Sequence, residues 1–265
     1  MALRHENLTS KILGCIYEVH NEVGVGLDEE TYHQALLKNF SRNGVPAVSK
    51  ERKALLHRGV PLRSFELDVM AYDKIILALK SVQSNFLQNH YVQIISELKL
   101  WQKDLGMLVN FGKPKAEIER IPFDEKKKKF VEDYSEIKDK ITSADRQLLA
   151  KVRSAILFVF ETHGLGYGKI VYQNLLRAEL DYRGLSHDRN YAIPVVYQGE
   201  AIRLCKVKAL RIADRLLCGV TAIQNQITLF DAARLRTYLR YSNLPLGLLV
   251  NFAKSNLEIR ALTGS

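Results

Sequence analysis

A chain of 265 residues with 47% hydrophobic and 26% charged residues has the balance of a globular protein and excludes disordered and fibrous classes. The net charge of +10 is uneven: residues 1–144 hold 22 Lys+Arg against 20 Asp+Glu, and residues 145–265 hold 17 against 9. That excess favours a polyanionic partner, nucleic acid first, with a merely solvated basic surface as the alternative.

In the first half, Leu8, Ile12, Cys15, Ile16 and Val19 recur at helical spacing, and Gly24-Val25-Gly26 stops that helix. A second helix is predicted from Asp28 to Asn43, ended by Gly44-Val45-Pro46. Strands are predicted over Lys53–His57, Leu62–Ala71 and Ile75–Lys80, separated by Arg58-Gly59 and Tyr72-Asp73-Lys74. A helix over Gln88–Gln102, a buried strand over Gly106–Phe111 and an edge strand over Ala116–Ile121 follow. Residues 123–144 contain Lys126-Lys127-Lys128-Lys129, then Val131, Tyr134, Ile137 and Ile141 at helical spacing, so a charged linker helix is expected there. The second half repeats the order. Helices are predicted over Arg146–Thr162 and Lys169–Arg183, and strands over Tyr191–Tyr197, Ile202–Leu210 and Leu216–Ala222. A helix over Leu229–Tyr241, a strand over Leu246–Phe252 and an edge over Leu257–Leu262 complete it.

No apolar run approaches the roughly 20 residues of a membrane span. The opening residues pass directly into an amphipathic pattern, so no secretory leader is expected. Cys15, Cys205 and Cys218 are few, odd in number and widely spaced, which fits a reducing cytoplasm. The seven His form no HxH or HExxH pair, so no metal site of that kind is expected.

The two halves match in detail. Gly24-Val25-Gly26 through Tyr32 parallels Gly164-Leu165-Gly166 through Tyr172, and Leu105–Phe111 parallels Leu246–Phe252. The Tyr pair is offset by 140 positions and the Asn110/Asn251 pair by 141. Motifs in matching order at a nearly constant offset indicate duplication of a whole domain, too long for a solenoid repeat. The expected organisation is a first domain over residues 1–122, a linker over 123–144 and a second domain over 145–265. Each domain is α/β, a mixed central sheet flanked by helices.

The pattern Gly26-Leu27-Asp28-Glu29-Glu30-Thr31-Tyr32 fits G-x-x-E-x-x-Y. With the later Leu-Val-Asn-Phe strand it resembles the GxxExxY proteins of the PD-(D/E)XK nuclease superfamily, and nearly all of both halves shares the resemblance. The resemblance implies two tandem PD-(D/E)XK nuclease-like domains. It also implies a site built from a helix Glu, a strand Asp, a Glu-x-Lys and a helix Gln. Such carboxylates would hold Mg²⁺, which activates water against a phosphodiester beside the Lys. The matching positions in the first copy are Glu29, Asp68, Lys80 and Gln93, but the acid of Glu-x-Lys is Ala78. A methyl group holds no cation, so these residues are read as vestigial and Mg²⁺ as a cofactor only if this site still works. Glu66 or Asp73 could replace the missing acid.

The second copy has lost every expected group. Lys169 stands at the Glu, Lys206-Val207-Lys208 around the Asp, Gly219-Val220-Thr221 at Glu-x-Lys and Arg234 at the Gln. Asp214 is the nearby acid. Lys169, Lys208 and Arg234, with Arg211, Arg215 and the run Lys126, Lys127, Lys128 and Lys129, are the candidate phosphate-binding residues. Salt bridges to a partner protein and drift of an unused surface are the other readings. The function expected is a catalytically inactive nuclease-fold protein that binds DNA or RNA, or is a subunit of a nucleoprotein assembly. A protein-binding scaffold and a weak Mg-dependent nuclease are the alternatives.

Overall fold

The computed structural model describes residues 4–125 and 129–264 and divides into two compact units, Met1–Glu125 and Lys126–Ser265. In the first, α1 (Glu6–Val23) and α2 (Glu29–Arg42) lead to β1 (Ala47–Ser49) and a hairpin of β2 (Arg52–His57) and β3 (Val60–Glu66). Then come β4 (Val69–Ala71), β5 (Ile75–Lys80), α3 (Gln88–Trp101), β6 (Leu105–Asn110) and β7 (Glu117–Pro122). The sheet order is β1-β4-β5-β6-β7. All neighbours are antiparallel except β5 and β6, which α3 joins as a parallel pair.

Alternation of side chains explains the layers. Ile75, Leu77 and Leu79 of β5 pack with Ile12, Ile16, Leu36 and Phe40 of α1 and α2. Ile76 and Ala78 point the other way, into a cluster with Ile94, Leu98 and Trp101 of α3. Central strands covered on both faces read as continuous apolar runs, as β5 and β6 do. Trp101 belongs to that core, and its indole N–H donates to Glu51 at 2.9 Å.

The second unit repeats the plan. α4 (Ser143–His163), α5 (Lys169–Tyr182), β9 (His187–Asp188), the hairpin β10 (Ala192–Tyr197) and β11 (Glu200–Lys206), and β12 (Leu210–Ile212) come first. β13 (Leu216–Ala222), α6 (Leu229–Ser242), β14 (Leu246–Phe252) and β15 (Leu257–Leu262) follow. The order β9-β12-β13-β14-β15, with β13 and β14 parallel, is that of the first sheet.

Besides the short strands β1 and β9, to which the sequence pattern assigns nothing, three differences from expectation have physical causes. Leu62–Ala71 is not one strand: β3 ends at Glu66, and Leu67-Asp68 breaks the chain before β4. Ile202–Leu210 divides in the same way into β11 and β12. The apolar residues continue through each break, so periodicity alone hides the change of pairing partner.

The linker is the third difference. Among its described residues it contains no α-helix before α4 begins at Ser143. Phe130–Asp133 forms β8, a sixth strand parallel to β15, and Ser135–Ile137 is one 3-10 turn. The open edge of β15 offers unpaired backbone groups, and satisfying them outweighs the local helical spacing. Glu132 fixes the strand through Arg153 at 2.6 Å. Asp133 ends it by accepting the Ser135 amide at 3.1 Å. Lys126, Lys127 and Lys128 lie outside the described residues; the Lys129 carbonyl accepts the Leu257 amide at 2.9 Å.

Candidate functional site

The glycine turn between the first two helices of each unit positions the site. Tyr32 Oη donates to the Gly24 carbonyl at 2.8 Å, and its ring stacks on Phe111 with centroids 4.8 Å apart. Tyr172 repeats both contacts, to Gly164 at 2.7 Å and to Phe252 at 3.8 Å. Each Tyr thus ties its helix both to the turn and to the central sheet. Asp28 caps α2 by accepting the Thr31 amide at 2.8 Å, which places Glu29 in the first turn.

In the first unit these elements bring Glu29, Asp68 and Lys80 together. Lys80 Nζ lies 3.5 Å from Glu29 Oε2 and 3.8 Å from Asp68 Oδ2, and also donates to the Leu79 carbonyl. Asp68, at the break before β4, accepts the Leu79 amide at 2.9 Å and faces Lys50 Nζ at 3.7 Å. Burial raises the Glu29 pKa, Lys80 opposes that rise and Asp68 adds to it.

Gln93 donates to Glu97 Oε1 at 2.9 Å. Glu97 is a group that sequence reasoning missed. It is 2% exposed, its Oε2 has no hydrogen-bond partner among the described residues, and burial pushes its pKa up to about 8, with nearby Asp68 adding to the rise. The available signal was a Glu in the apolar stripe of α3 between Ser96 and Leu98.

Neither proposed substitute for the acid missing at Ala78 reaches the cluster. Glu66 leaves it on the hairpin and pairs with Arg52 at 2.5 Å. Asp73 sits in the β4–β5 turn and pairs with Lys103 at 2.7 Å. Glu29 and Asp68 are the two carboxylates gathered at Lys80. The Lys80 ammonium lies within 4 Å of both Glu29 and Asp68, and no group of three His, Cys, Asp or Glu among the described residues could hold a metal.

The second unit builds a different site from the same elements. An open pocket of about 560 Å³ is lined by Lys169, Gln173, Asn174 and Arg177 of α5, by Arg189 and Asn190, and by the stretch Lys206–Leu210. Five of these residues are cationic and none is Asp or Glu. Lys206 Nζ donates to Asn190 at 3.1 Å, while Arg177 Nε is buried with no hydrogen-bond partner among the described residues. Burial lowers the Lys169 pKa, the charges of Arg234 and Lys208 lower it further, and Asp231 opposes them.

Lys169 and Lys208 line this pocket; Arg234 is not among its lining residues and pairs with Asp231 at 2.8 Å. Arg211 and Arg215 are engaged elsewhere: Arg211 with Asp214 at 3.2 Å and over the Tyr191 ring at 4.2 Å, and Arg215 with buried Asp145 at 2.8 Å. Asp214 is accordingly a turn residue serving Arg211.

No curated protein and no solved structure matches the chain. The PD-(D/E)XK nuclease superfamily matches residues 6–121 and again residues 146–262, the same segments that fold into the two repeated units. On that match, the chain belongs to the PD-(D/E)XK nuclease superfamily, as a tandem duplication of its domain.

Proposed function

We propose that this chain binds nucleic acid through the phosphate backbone, with the second unit as the binding element and without cutting, alone or as a subunit of a nucleoprotein assembly. The observation that carries this reading is the carboxylate-free cationic pocket at Lys169, Arg177, Arg189, Lys206 and Lys208. Lys169 and Arg177 are half-buried and Arg189, Lys206 and Lys208 exposed; cations gathered in this way repel one another, and a phosphate relieves that repulsion through charge-assisted hydrogen bonds. Hydrolysis is not part of this reading. The second pocket has no acid, and in the first unit the strand position for the third carboxylate is buried Ala78. The three cysteines are unpaired, and no described helix is long and apolar enough to cross a membrane. We place the chain in the cytoplasm on the cysteines.

The test is retention of labelled single-stranded and duplex DNA and RNA over a salt series. Affinity should fall linearly in log–log form, by about 0.7 per neutralised phosphate on single strands and about 0.9 on duplex. Lys169→Glu with Lys208→Glu should weaken binding and flatten that slope while the far-ultraviolet circular dichroism stays unchanged. A slope unaffected by the double reversal refutes the pocket. Persistent, salt-insensitive capture of one protein would instead support the scaffold reading, which the exposed Val196, Tyr197, Ile202 and Leu204 of the β10–β11 hairpin favour.

A further inference from the structure

α6 opens on two apolar side chains that its fold does not use. Leu229 is 86% exposed and Phe230 70% exposed, in the first turn after the Thr228 cap. At the offset of 141 the first unit has Gln88-Asn89 there, so this turn accommodates polar residues. Exposing a phenylalanine ring costs the free energy its burial would contribute. Here the ring is also held. The Arg234 guanidinium lies over Phe230, 5.2 Å from the ring centroid, and is itself anchored to Asp231 at 2.8 Å. Arg234 and Lys208 are also the two cations that act on Lys169. One Phe230 face is thus fixed by Arg234, whose charge, like that of its partner Asp231, is felt at Lys169, and the ring remains largely open to solvent.

We infer that the second unit takes single-stranded nucleic acid, with an unpaired base stacked on Phe230 and the adjoining phosphates held by Lys169 and Lys208. This inference rests on the phosphate-binding reading above and adds to it the strandedness of the ligand and the residue that selects it. Every base has a flat π-face, so an exposed aromatic beside a cationic groove binds single strands with little sequence preference. In a duplex those faces are already stacked. An acidic protein segment would match the charge equally but has no need of an arginine-backed ring. Phe230 lies on the surface, so its replacement leaves the core clusters intact.

The experiment compares the full chain with Phe230→Ala and Phe230→Trp. The probes are a short single-stranded oligonucleotide, the same backbone carrying abasic sites, and the matching duplex. Wild type should prefer the base-bearing single strand. Phe230→Ala should lose roughly tenfold or more in affinity for it, keep its affinity for the abasic strand, and keep its salt slope. Phe230→Trp should retain the preference, and Trp fluorescence should be quenched on binding beyond the signal of Trp101 alone. Equal binding of base-bearing and abasic strands with the salt slope intact overturns the stacking role and leaves phosphate binding standing. Absence of salt-dependent retention for every probe overturns both. Unchanged strand binding by Phe230→Ala also overturns the inference and assigns Leu229 and Phe230 to a protein contact.

Discussion

Glu97 holds a proton that the same group would lose in an unfolded chain. Its pKa is pushed from the ordinary glutamate range near 4.5 up to about 8, first by burial and then by Asp68, against Gln93 and Lys80, which favour the charged form. The folded state therefore binds one more proton than the unfolded state between about pH 4.5 and pH 8. Folding stability contributed by this group falls as pH rises through that window and levels off above it. The effect is on the order of a few kcal/mol. Thermal unfolding followed from pH 4 to 9 should show a declining midpoint, and Glu97→Gln, which keeps the contact to Gln93, should remove most of the decline. Equal slopes in the two proteins would show that Glu97 is ionised in the fold.

At the scale of elements, each parallel strand pair needs its crossover helix held in place. In the first unit Asn110, fully buried at the end of β6, does this for the segment between β5 and α3. Its Oδ1 accepts the Val82 and Gly112 amides, both at 3.0 Å, and its Nδ2 donates to the Val82 carbonyl at 2.9 Å. Gly112 is required by close approach, since a Cβ there would stand 2.4 Å from the Val82 nitrogen. Asn251 is the counterpart and is less well used. It donates to the Gln224 carbonyl at 3.4 Å, and its Oδ1 has no partner among the described residues. Asn110→Ala should therefore cost about 2–3 kcal/mol, because it strands buried backbone groups, and Asn251→Ala should cost less. Chemical denaturation of the two variants checks the order, and the reverse order would contradict the roles given to these side chains.

Over the whole molecule, charge follows the division into units. Residues 1–125 hold 16 Lys+Arg and 16 Asp+Glu, and residues 126–265 hold 23 against 13, so the entire +10 belongs to the second unit. On the nucleic-acid reading, long-range attraction of a polyanion acts on the unit whose pocket lining has no Asp or Glu. Reversing exposed lysines of the first unit, Lys38→Glu with Lys53→Glu, should leave the salt slope of nucleic-acid binding unchanged within error. A loss as large as that from Lys169→Glu with Lys208→Glu would mean that net charge alone, rather than the pocket, drives retention.

The sequence by itself determined the duplication and the order of the six α-helices and the central strands, and it showed Ala78 where the resemblance expects an acid. Each of these is local: a spacing, a turn residue or a missing side chain is visible without its neighbours in space. The resemblance to a nuclease family likewise rested on ordered motifs. Tertiary structure alone decided the rest. It split Leu62–Ala71 at Asp68 because the two pieces pair with different strands, and it turned the expected linker helix into β8 because an open sheet edge needed partners. It put Lys169 and Lys208 in one pocket and paired Arg211, Arg215 and Arg234 with carboxylates in a turn, far along the chain or one helical turn away. It also buried Glu97 where the charges of Asp68 and Lys80 act on it. Charge balance counts ionisable groups but does not pair them. Pairing depends on which side chains the folded backbone brings within a few ångströms, and that distance is set by contacts between residues remote in sequence.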